Sequence, residues 1–189
     1  MHFGLTEEQD MIVNTVRSFV ETELYPLEDQ VERQGFVPPE MGQEIAQKVK
    51  DLGFFGCNMP EDVGGAGLDH TTFTLVEREL GRASMALTVF FGRPSGILMG
   101  CNDDQRQRYL IPATKGDKFD ALAMTEPGAG SDVRGMKCFA KPDGSDWIVN
   151  GTKHFISHAN IADFIIVFIA TGEEETPRGP KKLITCFLV

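Results

Sequence analysis

Positive charge is scarce in this chain. Lys and Arg number 18 against 28 Asp and Glu among 189 residues, a formal net charge of -10, and the isoelectric point is near 4.8. Nucleic-acid grooves need the opposite excess, because phosphates are bound by Lys and Arg. Nucleic acid is therefore not an expected partner, and adhesion to an anionic membrane is disfavoured on the same ground. An anionic ligand has to be held by backbone N–H groups and a few local cations. Paired cysteines are also lacking. Cys57, Cys101, Cys138 and Cys186 lie far apart, with no Cys-x-x-Cys. That spacing leaves no zinc knuckle, so no metal site is expected, and no dense disulfide frame. Isolated cysteines behave mostly as small buried apolar side chains. No apolar run approaches the roughly 20 residues that span a bilayer; the one at 164–170 is far too short. Residues 1–8 carry neither the apolar segment of a secretory signal nor a basic amphipathic pattern. A cytoplasmic protein without membrane insertion is expected.

What is present is a globular composition, 41% hydrophobic and 24% charged, with length for one large or two small domains. Thr6-Glu7-Glu8-Gln9 reads as a capping box that starts a helix. Ile12, Val16, Phe19, Val20 and Leu24 follow at helical spacing, with Arg17 and Glu21 on the other side. Pro26 is a candidate kink, and Leu27 and Val31 carry the pattern on. A second amphipathic helix is predicted over 41–52, stopped by Gly53. Residues 54–69 mix apolar residues with glycines and read as a buried connection. Helices over 72–80 and 87–98 follow, the second bent at Arg93-Pro94 because proline disrupts a helix interior. Asn102 caps another helix, expected to end at Pro112 and Gly116. From Ala121 the period changes from helical to two. Strands are predicted over 136–141, 147–150, 153–156, 164–170 and 183–189, with a turn at Pro142-Asp143-Gly144-Ser145. Residues 173–182 read as a charged, solvated loop. The pattern is a helical domain, then a sheet domain, with the boundary near Gly116.

Two stretches carry chemistry. In Ala123-Met124-Thr125-Glu126-Pro127-Gly128-Ala129-Gly130-Ser131-Asp132 an apolar strand breaks at Pro127. Gly128 and Gly130 can take positive φ, and a glycine keeps no Cβ between its backbone and a ligand. A loop with exposed N–H groups, flanked by the hydroxyls of Thr125 and Ser131, can hold a phosphate or a planar, hydrogen-bonding ligand. A plain turn between strands is the alternative. It is not the dinucleotide fingerprint, since Val133 stands where the third glycine belongs. The other stretch runs from Trp147 to Ala159, with Asn150-Gly151 as a hairpin signal. On a strand, Phe155 and Ser157 would share a face. A ring and a hydroxyl there can stack on a flat heterocycle and bond its edge; the alternative is a core phenylalanine followed by a turn. Ser131 and His158 offer only a weak case for a serine hydrolase, because Ser131 lacks the Gly-x-Ser-x-Gly elbow.

Thr125-Glu126-Pro127-Gly128-Ala129-Gly130-Ser131-Asp132, followed by Asn150-Gly151-x-Lys153-x-Phe155-Ile156-Ser157, resembles the flavin site of the acyl-CoA dehydrogenase family. The likeness runs from Leu5 to Val189, and the Pro60-Glu61-x-x-Gly64-Gly65-x-Gly67-Leu68-Asp69 loop is similar to one in the same family. The resemblance implies an α+β fold: an all-α amino-terminal domain over 1–116, then an incomplete, β-barrel-like middle domain over 117–189. It implies FAD as cofactor and α,β-dehydrogenation of an acyl-CoA thioester. A carboxylate removes the α proton while a hydride leaves the β carbon for flavin N5. Thr125 would bond the pyrimidine edge of the flavin and Ser157 would sit near N5. Leu122, Met124 and Phe155 would cover the ring, Ile156 would also belong to the cofactor site, and Gly130 and Ser131 would meet the flavin phosphate. Ser131 would also meet the CoA side of the thioester, and Arg93 would reach substrate.

Several positions depart from the family pattern. Leu122 stands where Tyr is frequent, Phe155 where Trp is, Ser157 where Thr is, and His158 where Asn is. Family members run to about twice this length, and their catalytic base usually comes from a carboxy-terminal helical domain. No catalytic residue is therefore assigned, and Glu126 is expected to be structural. The resemblance further implies electron-transfer flavoprotein or a similar acceptor, and a homodimer or homotetramer in the full-length form. The 189 residues alone are expected to bind flavin weakly and to be inactive; steady turnover of a fatty acyl-CoA by the purified chain would contradict this. The rival readings are an oxidase or monooxygenase on the same scaffold, and a non-catalytic flavin- or acyl-CoA-binding fragment or partner subunit.

Overall fold

The computed structural model describes residues 4–177 and 179–189. Met1, His2 and Phe3 of the amino-terminal stretch and Arg178 of the charged segment lie outside the described residues. The chain forms two compact units, Met1–Asp117 and Lys118–Val189.

The first unit is helical. Its α-helices are α1 (Glu7–Phe19), α2 (Tyr25–Gln34), α3 (Pro39–Asp51), α4 (His70–Leu80), α5 (Met85–Thr88), α6 (Asp103–Gln105) and α7 (Ile111–Lys115). The Thr6 hydroxyl accepts from the Gln9 N–H and the Gln9 side chain accepts from the Thr6 N–H, which satisfies two orphan donors at the start of α1. A π-helical turn, Val20–Leu24, joins α1 to α2, and another, Arg106–Leu110, joins α6 to α7. Each precedes a proline, Pro26 and Pro112. The wider turn lets the N–H of Tyr25 reach the Val20 carbonyl, and that of Ile111 reach Arg106. The donor each proline lacks then falls at a break already made. Pro112 therefore does not end its helix, as expected from sequence; Gly116, at φ 74, does. The predicted helix over 87–98 is also not one helix. It divides into α5, a 3-10 turn at Val89–Phe91 and another at Gly96–Gly100. Gly92 takes φ 73 with the Phe55 ring 2.2 Å from where a Cβ would stand, so the chain leaves the helix before it reaches Pro94. The core gathers Val16, Phe19, Leu24, Val49, Leu80 and Phe91, all buried. Segment 54–69 is a buried connection, with Phe55, Cys57, Met59 and Val63 inside.

The second unit is a mixed five-stranded sheet of β1 (Asp120–Ala123), β2 (Phe139–Asp143), β3 (Asp146–Asn150), β4 (Phe164–Thr176) and β5 (Gly179–Leu188). Strand β4 is its axis. It pairs in parallel with β1, Leu122 opposite Ile166, and meets β2 at Phe139–Ala170. It pairs antiparallel with β5, and β2 and β3 form a hairpin closed at Gly144. The edge of the Trp147 ring meets Phe187, centroids 5.5 Å apart, so β3 leans over β5 and the sheet curls.

Three strand expectations need correction. Strand β2 starts at Phe139, not at Met136. Segment 173–182 is largely exposed, as expected, but is not a loop: residues 173–176 and 179–182 belong to the far end of the β4–β5 hairpin. Its charges are cross-strand partners: Glu173 faces Lys182, and Glu174 faces Lys181 with an ion pair at 2.9 Å, a pairing that supports a ladder. Residues 153–156 form no strand. Gly151 is not the centre of a hairpin; it sits at φ 139 with Cys138 Sγ 2.2 Å from the place of a Cβ. That contact pulls the chain out of the sheet after β3. Gly151→Ala is expected to cost roughly 2–4 kcal/mol, from backbone strain and overpacking together, read as a lower urea midpoint.

Candidate functional site

Strand β1 alternates: Ala121 and Ala123 are buried while Leu122 is 40% exposed between them. Period two places Met124, half-buried, on the Leu122 side. The strand then breaks into a tight turn. Glu126 N–H donates to the Ala129 carbonyl at 2.9 Å, and Ala129 N–H returns to Glu126 at 3.2 Å. Pro127 and Gly128 form its tip. Gly128 and Gly130 do not take the positive φ expected of them. Neither is a glycine for lack of room, since nothing stands within 4 Å of a Cβ at either. Among the described residues, the N–H groups of Gly128, Gly130 and Ser131 find no acceptor, and the Thr125 and Ser131 hydroxyls make no hydrogen bond. The turn thus presents unspent donors to open space.

The second stretch comes up against this turn. The His154 N–H donates to the Thr125 carbonyl at 2.9 Å. Lys153 Nζ donates to the Met124 carbonyl and to Glu126 Oε1, both at 2.9 Å. Glu126 also accepts from the N–H groups of Lys137 and Cys138, at 2.5 and 3.0 Å. Burial pushes the Glu126 carboxyl up, but these N–H donors and the Lys153 ammonium outweigh it and hold the group at about 2. It is 6% exposed and permanently ionised near neutrality. A carboxylate so engaged is a poor proton acceptor, so its role is to tie three segments together.

Beyond His154 the chain turns sharply. Phe155 takes φ 56 and is 81% exposed. A left-handed conformation costs a non-glycine residue on the order of 1 kcal/mol or more. The His154 ring stacks on Phe155, centroids 3.7 Å apart and planes 22° apart. The shared strand face expected for Phe155 and Ser157 does not exist, because neither lies on a strand. Ile156 is half-buried, Ser157 is exposed, and the Ser157 hydroxyl finds no partner among the described residues. The result is an exposed aromatic ring and a free hydroxyl on a segment tied to the β1 turn. Such a surface can stack a flat ring and bond its edge.

Arg93 lies in the helical unit. Its Nη1 bonds Glu77 at 3.1 and 3.3 Å, and its Nη2 bonds the Thr88 carbonyl at 3.2 Å. Its guanidinium is thus already held within the helical unit. The sequence reading missed two centres. Nothing local to Lys153 announces its pairing with Glu126. Glu79, on the predicted helix over 72–80, is 2% exposed and receives Arg17, Arg78 and Arg82. Arg17 was expected to lie on the solvent side of α1. Of the cysteines, Cys57 and Cys138 are buried and Cys186 is exposed. Burial pushes the Cys57 thiol up to about 11, so it stays protonated and inert. Among the described residues no helix is long and apolar enough to cross a membrane.

A helical unit followed by a mixed sheet, with a glycine turn clasped to an aromatic segment, has counterparts among known proteins. Residues 6–117 match the acyl-CoA dehydrogenase N-terminal domain and residues 121–189 the acyl-CoA dehydrogenase middle domain. The chain belongs to the acyl-CoA dehydrogenase family. It is 36% identical to the 3-(aryl)acrylate reductase of Clostridium sporogenes, over 97% of this chain and 48% of that protein. It is 35% identical to the caffeyl-CoA reductase-Etf complex subunit CarC of Acetobacterium woodii, over 100% of this chain and 49% of that one. Among solved structures it is similar to a glutaryl-CoA dehydrogenase of Mycobacterium smegmatis in complex with FADH2. There the TM-score is 0.80 at 30% identity, over 98% of this chain and 46% of the other. The chain spans about half the length of the curated relatives it matches.

Proposed function

We propose that this chain serves an FAD-dependent oxidoreductase acting on the CH–CH group of an acyl-CoA thioester. The carrying observation is the clasp between the β1 turn and segment 152–157, made by His154 N–H on Thr125 and by Lys153 on Met124 and Glu126. It joins two stretches far apart in sequence into one surface rich in unspent donors.

The residues fit a flavin. Thr125 and Ser157 have free hydroxyls for the edge of the ring system, and Phe155, Leu122, Met124 and Ile156 supply apolar cover. The open N–H groups at Gly130 and Ser131 suit a pyrophosphate. Ser131 is also placed to meet the thioester side of the substrate. When bound, the flavin supplies a hydride acceptor at N5. The chain's own residues orient the ring and exclude water from its face. Glu126 is not assigned as the base, since three donors hold its carboxyl at about 2 and leave it only weakly basic. The ring surface that Thr125, Phe155 and Ser157 would offer suits dehydrogenation and the reverse reduction alike. The relatives named as reductases favour keeping both directions open. An electron-transferring flavoprotein is the proposed acceptor, consistent with the Etf complex in one relative's name.

The test is the visible spectrum of the purified protein. For these 189 residues a weakly held flavin band that does not bleach on adding an acyl-CoA is expected; a colourless protein that takes up no added FAD overturns the reading. Thr125→Ala and Ser157→Ala are each expected to weaken FAD binding about two- to tenfold, the effect of one neutral hydrogen bond, read by fluorescence quenching.

A further inference from the structure

We infer that Lys153 is a positioning residue, a side-chain latch that sets the aromatic segment against the β1 turn and so gives the proposed flavin surface its shape. The inference rests on the flavin reading. Residues 151–156 belong to no helix or strand, so no ladder of backbone bonds holds Phe155, Ile156 and Ser157 in place. What holds them is a short series of individual contacts. Gly151 packs on Cys138. The Thr152 carbonyl lies 3.5 Å from Cys138 Sγ, a weak bond. Lys153 Nζ makes two bonds of 2.9 Å, to the Met124 carbonyl and to Glu126 Oε1. His154 N–H then reaches Thr125.

Of these, only the Lys153 contacts are charge-assisted, and they are shielded. The Lys153 side chain is 11% exposed and that of Glu126 4%. Hydrogen bonds to charged groups are roughly twice as strong as neutral ones, and low local dielectric strengthens them further. The ammonium holds the entry to the turn, since Met124 follows β1 and Glu126 opens the turn. Glu126 in turn grips the N–H groups of Lys137 and Cys138, which ties the turn to the run into β2. One side chain therefore fixes the spacing between the Thr125 side and the Ser157 side. It does so without being in the surface that would meet the ligand. It also holds the segment close enough for Phe155 to stay in its left-handed conformation, φ 56, with the ring outward.

The experiment compares the wild-type protein with Lys153→Met, which keeps length and apolar stem but removes charge and donors, and with Lys153→Arg, which keeps both. Three quantities are read: FAD affinity by fluorescence quenching, exchange of the His154 amide by hydrogen–deuterium NMR, and the thermal midpoint. Lys153→Met should weaken FAD binding about tenfold or more and speed exchange at His154. Lys153→Arg should keep affinity within about threefold even where its thermal midpoint falls. In the wild type, His154 should exchange as slowly as the amides of β1, although it lies outside the sheet; this reading stands even if Lys153→Met fails to fold. A Lys153→Met protein that binds FAD like the wild type, affinity that falls with the thermal midpoint equally in both variants, or a His154 amide that exchanges as fast as those at 158–161 would each overturn the latch. A wild-type protein that takes up no FAD would instead overturn the flavin reading beneath it.

Discussion

Replacing Glu79 by Gln is expected to destabilise the helical unit by about 2–4 kcal/mol, the combined weight of hydrogen bonds to a buried carboxylate, discounted because the arginines left behind are partly exposed. Glu79 lies on α4 and is 2% exposed. Arg17 of α1 grips it in bidentate fashion, Nε to Oε2 at 3.0 Å and Nη2 to Oε1 at 3.1 Å. Arg78 Nη2 adds a bond at 2.8 Å and Arg82 Nη1 one at 3.2 Å. Hydrogen bonding from Arg17 does most to hold the carboxyl down, at about 2; burial opposes it, and Arg78 and Arg82 add to Arg17. The variant leaves Arg17 with half its bonds and removes the charge that three guanidinium groups share. Urea denaturation followed by circular dichroism reads the loss. Arg78→Ala is the control: its side chain is 55% exposed, so the expected effect is below about 1 kcal/mol. An equal loss in both variants would mean that burial of Glu79 is not what matters.

The companion expectation lies in the sheet unit. Glu126→Ala should cost a similar amount, about 3–5 kcal/mol, because it leaves the Lys153 ammonium buried without its partner and two N–H groups unsatisfied. The loss should appear as a lowered thermal midpoint. Chain loosening is expected first at 152–157, so faster amide exchange there should accompany it. Acid tests the same group without mutation. Glu126 is held at about 2 against an ordinary 4.5. A depressed carboxyl contributes its full stability above the ordinary value and loses it as pH falls through the folded one. The contribution is then present above about pH 4.5 and lost between there and about pH 2, roughly 3 kcal/mol at 1.36 kcal/mol per unit. Glu79 is held at about 2 as well, so the acid limb should be steep. In Glu126→Ala that limb should flatten. An unchanged slope would place the acid sensitivity elsewhere.

How much of this was legible varies with the range of the interaction. Thr6-Glu7-Glu8-Gln9 announces its helix because both bonds of a capping box fall within three residues. Pro142-Asp143-Gly144-Ser145 announces its turn for the same reason, and Gly144 at φ 61 occupies it. The helix over 87–98 failed because what breaks it is the Phe55 ring against Gly92, a contact across the fold. The strand over 153–156 failed likewise. Asn150-Gly151 is a strong local hairpin signal, but the close approach of Gly151 to Cys138 sends the chain elsewhere. Segment 173–182 was misread in the opposite sense. A run of glutamates followed by a pair of lysines looks like a loop until Glu173 and Glu174 are seen facing Lys182 and Lys181 across the ladder.

By itself the sequence determined the class of fold and the family, because both rest on periodicity and on motifs whose residues are near neighbours. It also named Thr125, Gly130, Ser131, Phe155 and Ser157 as candidates, through two short motifs and the family they resemble. Only the tertiary structure decided which charges meet. Lys153 with Glu126 and Arg17 with Glu79 pair over long separations in the chain, and no local propensity encodes such a partner. A buried charge finds its counter-charge only once the chain has closed around both. The tie between the β1 turn and the aromatic segment is of that kind.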